Sequence, residues 1–237
     1  MPTILITGAN RGLGLEFAKQ YAGDGWEVIA CCRAPDDARD LAALAAQHPL
    51  LRIETLDVRD HQAIERLGEK YLGHPIDVLL NNAGIIGPVP IAENVARQHF
   101  GTMDYGLWQN VMETNTFAPL KLAETFVENV AASEQKKIVN ISSTVGSIAE
   151  MSVPSIAYAS SKTALNRAMT IVAGQLRERG ITVAMFCPGY VKTRMDAFGY
   201  AMVEITESVS ALRPLIAALT LDATGSFTRY DGTPVAW

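Results

Sequence analysis

The chain has 237 residues, of which 49% are hydrophobic and 19% are charged, with a formal net charge of −5 at pH 7. These values are typical of a soluble globular protein with a buried core. The acidic balance and the lack of a Lys/Arg-rich run argue against a nucleic-acid partner. No apolar run reaches the roughly 18 residues of a membrane span, and the N-terminus does not resemble a signal peptide. We therefore expect a cytoplasmic protein without a membrane-spanning segment.

Short apolar runs alternate with longer helical patterns along the chain. We predict strands at residues 3–7, 26–32, 51–58, 76–84, 136–142 and 181–188, with a last one in the tail 225–237. We predict helices at residues 12–22, 36–47, 60–71, 105–131 and 156–179. The strands show little polar alternation, which is typical of strands covered on both faces. The pattern predicts an α/β, Rossmann-type, doubly wound parallel sheet between helical layers, in a single domain over residues 1–237.

Two stretches, residues 85–104 and 189–205, lack a periodic pattern, and we expect both to be irregular. Pro214 lies inside the apolar helical pattern of residues 207–219. Because proline has no backbone N–H and its ring clashes with the preceding turn, we expect it to kink or interrupt that helix.

The sequence predicts no metal site. The cysteines are Cys31, Cys32 and Cys187, and the histidines are His48, His61, His74 and His99. Neither set has the spacing of metal ligands, and adjacent cysteines rarely pair with each other. We expect buried thiols in a reducing compartment and histidines at surface positions.

A glycine-rich segment, ITGANRGLGLEF, joins the first predicted strand to the first predicted helix. It contains Gly8, Gly12 and Gly14. Glycines at such a junction allow a tight turn, and the helix N-terminus offers free N–H groups to a phosphate. The spacing is GxxxGxG rather than GxGxxG, so a glycine-rich turn without a ligand is the alternative.

The end of the second predicted strand favours NADP over NAD. NAD-binding folds usually place an acid here for the ribose 2′-hydroxyl, but the strand ends in Cys-Cys-Arg and the next acid is Asp36. Arg11 and Arg33 lie where the adenosine ribose is expected, and two guanidinium groups suit a 2′-phosphate. The alternative is that each arginine is a solvated surface charge.

Several short motifs resemble those of the classical short-chain dehydrogenase/reductase family, in the family's order and across most of the chain. They are TGANRGLG (7–14), NNAG (81–84), Asn115, ISS (141–143), YASSK (158–162) and PGYVKT (188–193). More narrowly, NISSTVGSI and YDGTPVAW are similar to the sniffer-type carbonyl reductases and the C-factor-like branch.

The resemblance implies four catalytic residues. Tyr158 would be the acid/base, and Lys162 would lower its pKa and hold the nicotinamide ribose. Ser143, in preference to Ser142, would hydrogen-bond the substrate carbonyl. Asn115 would hold a water that links Lys162 to solvent.

The resemblance also implies the cofactor contacts. Besides Tyr158 and Lys162, they are Gly8, Asn10, Arg11, Gly12, Leu13, Gly14, Arg33, Asp57, Val58, Asn82, Ala83, Gly84, Pro188, Gly189, Val191 and Thr193. Asp57 and Val58 would contact the adenine, and the last four would meet the nicotinamide end.

The spacing of Tyr158 and Lys162 suits proton transfer, because positions i and i+4 share a helix face. A cation about 4 Å away favours tyrosinate by roughly 4 kcal/mol at an effective dielectric near 20. That could lower the tyrosine pKa by about 3 units, while burial acts in the opposite direction. A chance pair on a helix surface is the alternative reading.

The resemblance predicts an NADP(H)-dependent enzyme that reversibly reduces an aldehyde or ketone to an alcohol. An NAD-dependent alcohol or hydroxysteroid dehydrogenase and a cofactor-binding signalling protein are the alternatives. A small-molecule, apolar substrate is expected, with a homodimer or homotetramer formed through residues 105–131 and 156–179. The segments expected to flank the substrate contain five apolar or aromatic residues, which would form either a substrate pocket or ordinary packing. They are Met151, Met195, Phe198, Tyr200 and Met202.

Overall fold

The structure is a computed structural model that describes residues 1–87, 91–150, 155–196 and 199–237. The strands are β1 (Thr3–Thr7), β2 (Glu27–Cys32), β3 (Leu51–Thr55), β4 (Val78–Asn81), β5 (Lys137–Ile141), β6 (Thr182–Cys187) and β7 (Phe227–Arg229). The α-helices are α1 (Gly12–Gly23), α2 (Arg39–Gln47), α3 (His61–Lys70), α4 (Ile91–Ala96), α5 (Tyr105–Met112), α6 (Ala118–Ala131), α7 (Ile156–Leu176) and α8 (Ile205–Ala217).

The strands of the described chain form one sheet in the order β3-β2-β1-β4-β5-β6-β7. Every neighbouring pair is parallel. The order reverses between β1 and β4, and sheets of this kind bind ligands outside the carboxyl ends of the strands at that point. The predicted doubly wound parallel fold is confirmed.

Two apolar cores cover the two faces of the sheet. Leu5 packs in a cluster with Phe126, whereas its neighbour Ile4 packs in a cluster with Phe17 and Leu212. Successive residues of a strand point to opposite faces, so a central strand buried on both sides must be apolar at every position. This explains why the strand runs show no polar alternation.

Side-chain caps fix the starts of several helices. Asp60 accepts a 3.0 Å hydrogen bond from the backbone N–H of Ala63 at the start of α3, and Asp104 does the same for Leu107 at the start of α5. Glu204 and Glu207 form a capping box at the start of α8. These acids satisfy N–H groups that the first turn of a helix leaves without partners.

Three expectations about helices need correction. The helix predicted over residues 105–131 contains a π-helical turn at Glu113–Phe117 between α5 and α6. Residues 85–104, expected to be irregular, include α4. Helix α8 runs through Pro214 to Ala217, so the proline does not interrupt it, and a kink stays a prediction. Pro214 removes only the one hydrogen bond that its own N–H would donate to Ser210.

Among the helices that the structure describes, none combines the length and apolar character required to cross a membrane.

Candidate active site

The predicted site residues lie at one edge of the sheet, where the strands end. The glycine loop follows β1, Arg33 follows β2, and Asp57 and Val58 follow β3. The NNAG segment follows β4, Ser143 follows β5, and the segment 188–193 follows β6. Six motifs that are distant in sequence therefore meet along one crevice.

The loop after β1 requires glycine at two positions. Gly8 has a φ of 67°, in the left-handed region that side chains disfavour. At Gly14, an added Cβ would lie 2.3 Å from the carbonyl oxygen of Gly8 and 2.5 Å from Nδ2 of Asn82. The first turn of α1 therefore packs against the loop and against β4 with no room for a side chain.

The N-terminus of α1 faces this loop without a side-chain cap. Arg11 stands at the capping position with an extended φ of −165° and forms no side-chain cap hydrogen bond. Gly12, Leu13 and Gly14 form the first turn, and Asn10 precedes Arg11 in the loop. Uncapped N–H groups and the positive end of the helix dipole favour an anion such as a phosphate.

Three arginines meet beside the loop. Burial lowers the pKa of Arg11, and the positive charges of Arg194 and Arg33 lower it further. Within the described residues, none of the three forms an ion pair. Clustered cations that form no ion pairs within the described residues are suited to bind an anion. The sequence prediction missed Arg194, which lies next to Thr193 in a stretch without periodic pattern.

Asp57 and Val58 lie in the turn after β3, near Arg33. Burial acts to raise the pKa of Asp57, but hydrogen bonds from Arg59 and its charge lower it overall, and Arg33 adds to this effect. The carboxylate accepts a 3.0 Å bond from Nη2 of Arg59, and Val58 is buried. Their predicted contact with adenine stays a prediction.

The NNAG segment is anchored to the end of β1. Nδ2 of Asn82 donates a 2.8 Å hydrogen bond to the carbonyl of Thr7, and the N–H of Ala83 donates to Thr7 Oγ1 at 3.0 Å. A Cβ built on Gly84 would lie 3.6 Å from Nζ of Lys162 and 3.4 Å from Oδ1 of Asn115. Gly84 therefore lies directly beside two of the predicted catalytic residues.

The segment after β6 closes the other side of the crevice. Ser208 Oγ donates a 2.6 Å hydrogen bond to the carbonyl of Pro188. Val191 forms a bridge with Val203, beyond Gly189. A Cβ at Gly12 would lie 3.8 Å from Cγ2 of Thr193, so this segment faces the glycine loop.

The first two turns of α7 carry Tyr158 and Lys162. Lys162 is buried, and its Nζ lies 5.9 Å from the centre of the Tyr158 ring. Tyr158 is partly exposed, and the Ser143 side chain lies close enough to its hydroxyl to stabilise the tyrosinate form. The predicted triad of Tyr158, Lys162 and Ser143 therefore comes together at the mouth of the crevice.

The two serines after β5 differ in accessibility. Ser142 is 2% exposed, and its hydroxyl donates a 2.6 Å hydrogen bond to Oδ1 of Asn166. Ser143 is partly exposed and lies against Tyr158. Of the two hydroxyls, that of Ser143 is the more accessible, and its predicted contact with a substrate carbonyl stays a prediction.

The pKa shifts of the pair differ from the sequence expectation. Burial raises the pKa of Tyr158 to about 12, with a smaller contribution from Cys187 in the same direction, and the Ser143 side chain opposes this rise. Burial lowers the pKa of Lys162 to about 8. The expected fall of the tyrosine pKa assumed that a nearby cation outweighs burial, whereas here burial dominates and Nζ of Lys162 donates to the carbonyl of Ile141.

Asn115 lies in the π-helical turn and is fully buried. Its Nδ2 donates to the carbonyl of Ile85 at 2.8 Å and to Ser161 Oγ at 3.0 Å, and its Oδ1 accepts from the N–H of Ile85 at 2.8 Å. A π-turn adds a residue to the helix and often occurs at functional sites. Here it presents an amide to the loop after β4, and the predicted water-holding role stays a prediction.

Cys187, at the end of β6, is a further neighbour of the site that sequence reasoning read only as a buried thiol. It is buried and free, and it lies near both Tyr158 and Lys162. Its Sγ accepts a 3.3 Å hydrogen bond from the N–H of Thr144. Cys31 and Cys32 are also free and buried, as expected.

The apolar residues expected near the substrate are only partly described. Met151 and Phe198 lie outside the described residues. Tyr200 and Met202 are 74% and 84% exposed, and Met195 is partly buried. Exposure of this extent argues against ordinary core packing for Tyr200 and Met202. Across the described ranges, no group of three or more His, Cys, Asp or Glu side chains could hold a metal ion.

The fold is that of a doubly wound α/β protein of the kind that binds dinucleotides. Its crevice brings Tyr158, Lys162 and Ser143 together. The sequence pattern of the short chain dehydrogenase family matches residues 2–202, and the chain belongs to this family. The NADPH-bound carbonyl reductase from chicken fatty liver superposes with a TM-score of 0.88 at 32% identity, covering 100% of this chain and 99% of that one.

Two further relatives are similar to the chain. The carbonyl reductase Sniffer of Drosophila melanogaster superposes with a TM-score of 0.88 at 29% identity and covers 100% of both chains. Protein FixR of Bradyrhizobium diazoefficiens is 31% identical over 196 residues, which are 81% of this chain and 68% of that protein. The resemblance to sniffer-type carbonyl reductases is confirmed.

Proposed function

We propose that this protein is an NADPH-dependent carbonyl reductase that converts an aldehyde or ketone into an alcohol, reversibly. The observation that carries the proposal is the convergence of Tyr158, Ser143, Lys162 and Asn115 beside the glycine loop. A protein that only bound a dinucleotide would not need a tyrosine and a serine side by side at the mouth of the crevice.

The proposed chemistry places two hydroxyls on the substrate oxygen. Ser143 and Tyr158 both donate to the carbonyl oxygen and stabilise the negative charge that develops there. The nicotinamide, when bound, supplies the hydride to the carbonyl carbon. Tyr158 transfers its proton to the oxygen, and a pKa of about 12 keeps it protonated at neutral pH for this step.

Lys162 and Asn115 support the proton transfer. With a pKa lowered to about 8, Lys162 is mostly protonated at pH 7 and can stabilise the tyrosinate that remains after transfer. The amide of Asn115 and Nζ of Lys162 both border Gly84, where a water could link them. This arrangement supports the relay that returns a proton to Tyr158.

The residues present fit NADP. The uncapped N-terminus of α1 suits the pyrophosphate, and the arginine cluster beside it suits a 2′-phosphate. The chicken relative is NADPH-bound. An NAD-dependent alcohol or hydroxysteroid dehydrogenase stays the alternative. Against it, the residue directly after β2 is Arg33 rather than the acid that would bind the ribose 2′-hydroxyl of NAD.

We propose an apolar substrate, because exposed apolar side chains follow β6. Tyr190, Tyr200 and Met202 lie in this segment, and the backbone N–H of Met202 donates a 3.2 Å bond to the carbonyl of Tyr190. Aromatic and methionine side chains form adaptable apolar surfaces. We also propose a single-domain cytoplasmic protein that forms a homodimer or homotetramer through α5, α6 and α7, to be measured by light scattering.

The test compares the protein with its Tyr158→Phe variant. NADPH consumption is followed with a panel of quinones, diketones and aldehydes, and NADPH binding is measured separately. We expect Tyr158→Phe to lower kcat by about 10²- to 10⁴-fold while NADPH still binds. Equal activity in both proteins would contradict the mechanism. Tight NADPH binding without any turnover would favour the cofactor-binding signalling protein.

A further inference from the structure

Gln98 is a fully buried residue between α4 and α5 that is bonded through both ends of its side chain. Its Oε1 accepts hydrogen bonds from Ser155 Oγ at 2.6 Å and from the backbone N–H of Tyr158 at 3.2 Å. Its Nε2 donates to the carbonyl of Ile86 at 2.7 Å. Its own carbonyl accepts from the N–H of Ile156 at 3.0 Å.

These bonds make Gln98 the cap of helix α7. Ser155 stands at the capping position but forms no side-chain cap bond, and its hydroxyl donates to Gln98. The first turn of a helix leaves N–H groups without intrahelical partners. Gln98, more than fifty residues away in sequence, accepts from two of them, those of Ile156 and Tyr158.

The other end of Gln98 connects α7 to the loop after β4. Ile85 is held by Asn115, through both its N–H and its carbonyl, and Ile86 is held by Gln98. Two side-chain amides therefore hold two consecutive residues of the loop that borders Gly84. One amide sits in the π-helical turn, and the other caps the helix that carries Tyr158.

We propose that Gln98 is a positioning residue that sets where Tyr158 stands relative to the loop after β4. The inference rests on the proposed function, since positioning matters only if Tyr158 transfers a proton. Without the side-chain amide, the N–H of Tyr158 loses its acceptor and the first turn of α7 loses its link to Ile86, while the backbone bond from Ile156 to Gln98 remains. A displacement of about 1 Å at a reacting group can cost about 100-fold in rate.

The experiment uses two substitutions at Gln98 and a matched control. Gln98→Met keeps the length of the side chain and removes every side-chain hydrogen bond. Gln98→Glu keeps the acceptor oxygens for Ser155 and Tyr158, and its protonated form can also donate to Ile86. The control is Gln109→Met, because Gln109 is an exposed glutamine on α5 that bonds only Glu113 among the described residues.

Three measurements are made on the full-length protein: kcat, NADPH affinity and amide hydrogen exchange over residues 155–162. We expect Gln98→Met to lower kcat by about 10- to 100-fold, to speed exchange at the start of α7, and to leave NADPH affinity within about threefold. Gln98→Glu should recover at least part of kcat and of the protection. Gln109→Met should match the parent in all three.

Unchanged exchange in Gln98→Met would overturn the capping role. Faster exchange with unchanged kcat would overturn the positioning role. Two further outcomes would indicate a general structural role and would also overturn the positioning role. One is an equal loss of kcat and NADPH affinity in both Gln98 variants, and the other is failure of both variants to fold. The exchange measurement does not depend on catalysis, so failure of the proposed function, read from Tyr158→Phe, is distinguishable from failure of this inference.

Discussion

Nζ of Lys162 donates a 2.8 Å hydrogen bond to the carbonyl oxygen of Ile141, the last residue of β5. The lysine is thereby attached to the sheet rather than directly to Tyr158, whose ring centre is 5.9 Å away. The bond fixes the second turn of α7 against the strand that precedes Ser143. It also holds a buried ammonium group whose pKa is lowered to about 8.

This lowered pKa predicts how reduction depends on pH. Lys162 is protonated below about pH 8 and loses its charge as pH rises above that value. A neutral lysine no longer stabilises tyrosinate, so kcat for reduction should be nearly constant below pH 8 and fall by up to about tenfold per unit above it. The measurement is a pH profile of single-turnover reduction. A Lys162→Met variant should lack this fall and be slow throughout. A parent profile that stays flat well above pH 8 would contradict the assignment.

Adjacent serines provide a second prediction with an internal control. Ser143→Ala removes the hydroxyl that faces Tyr158 and should lower kcat by about 10²- to 10³-fold, with little change in stability. Ser142→Ala leaves Oδ1 of buried Asn166 without its 2.6 Å donor. It should therefore lower the free energy of unfolding by about 1–3 kcal/mol, with a smaller effect on kcat. Steady-state kinetics measure the effect of each substitution on kcat, and chemical denaturation measures its effect on the free energy of unfolding. If Ser142→Ala lowered kcat more and Ser143→Ala lowered stability more, the roles assigned to the two serines would be wrong.

The sequence predicted those parts of the site that local motifs encode. The glycine loop and NNAG each lie within a few residues of a strand end, and the apolar strands fix where those ends are. The Tyr–Lys pair lies at the start of the helix that follows β5. The topology then brings the motifs to one edge of the sheet. Such positions could be predicted because the chain-order pattern of short apolar strands and helices specifies a parallel sheet.

What the sequence could not predict depends on tertiary contacts. The apolar pattern of residues 105–131 is that of a continuous helix, and nothing in it indicates the π-helical turn that orients Asn115. Arg194 is a single arginine in an aperiodic segment, and Gln98 caps a helix from a distance. The pKa of Tyr158 rises chiefly because of burial, and the neighbouring Lys162 donates to a backbone carbonyl. The i, i+4 spacing of Tyr158 and Lys162 in the sequence does not indicate how deeply the two side chains are buried.

The arginine cluster predicts the cofactor preference. Arg33→Asp removes a positive charge beside Arg11 and places a carboxylate after β2, where it would repel a 2′-phosphate and could accept from a ribose hydroxyl. We expect the Kd for NADPH to rise by about 10- to 100-fold, since hydrogen bonds to charged groups contribute about 1.5–3 kcal/mol. NADH affinity should rise or stay the same.

The matched control for that prediction is Arg39→Asp, an exposed arginine at the start of α2. It changes the net charge equally, so a general electrostatic effect would appear in both variants. Binding is measured by the change in cofactor fluorescence. If the NADPH and NADH constants of Arg33→Asp equal those of the parent, the cofactor argument is wrong.

The close approach at Gly14 predicts a difference between two glycines of the same helix. Gly14→Ala would place a methyl group 2.3 Å from the carbonyl oxygen of Gly8, which is backbone and cannot rotate away. The loop or the helix must move, so we expect the free energy of unfolding to fall by about 1–3 kcal/mol and NADPH binding to weaken.

Gly23, at the end of α1, has no atom within 4 Å of an added Cβ. Gly23→Ala should leave stability unchanged or raise it by up to about 1 kcal/mol, because alanine has the higher helix propensity. Thermal and chemical denaturation with and without NADPH check both variants. If both substitutions changed the free energy of unfolding equally, the close contact between Gly14 and the Gly8 carbonyl would be contradicted.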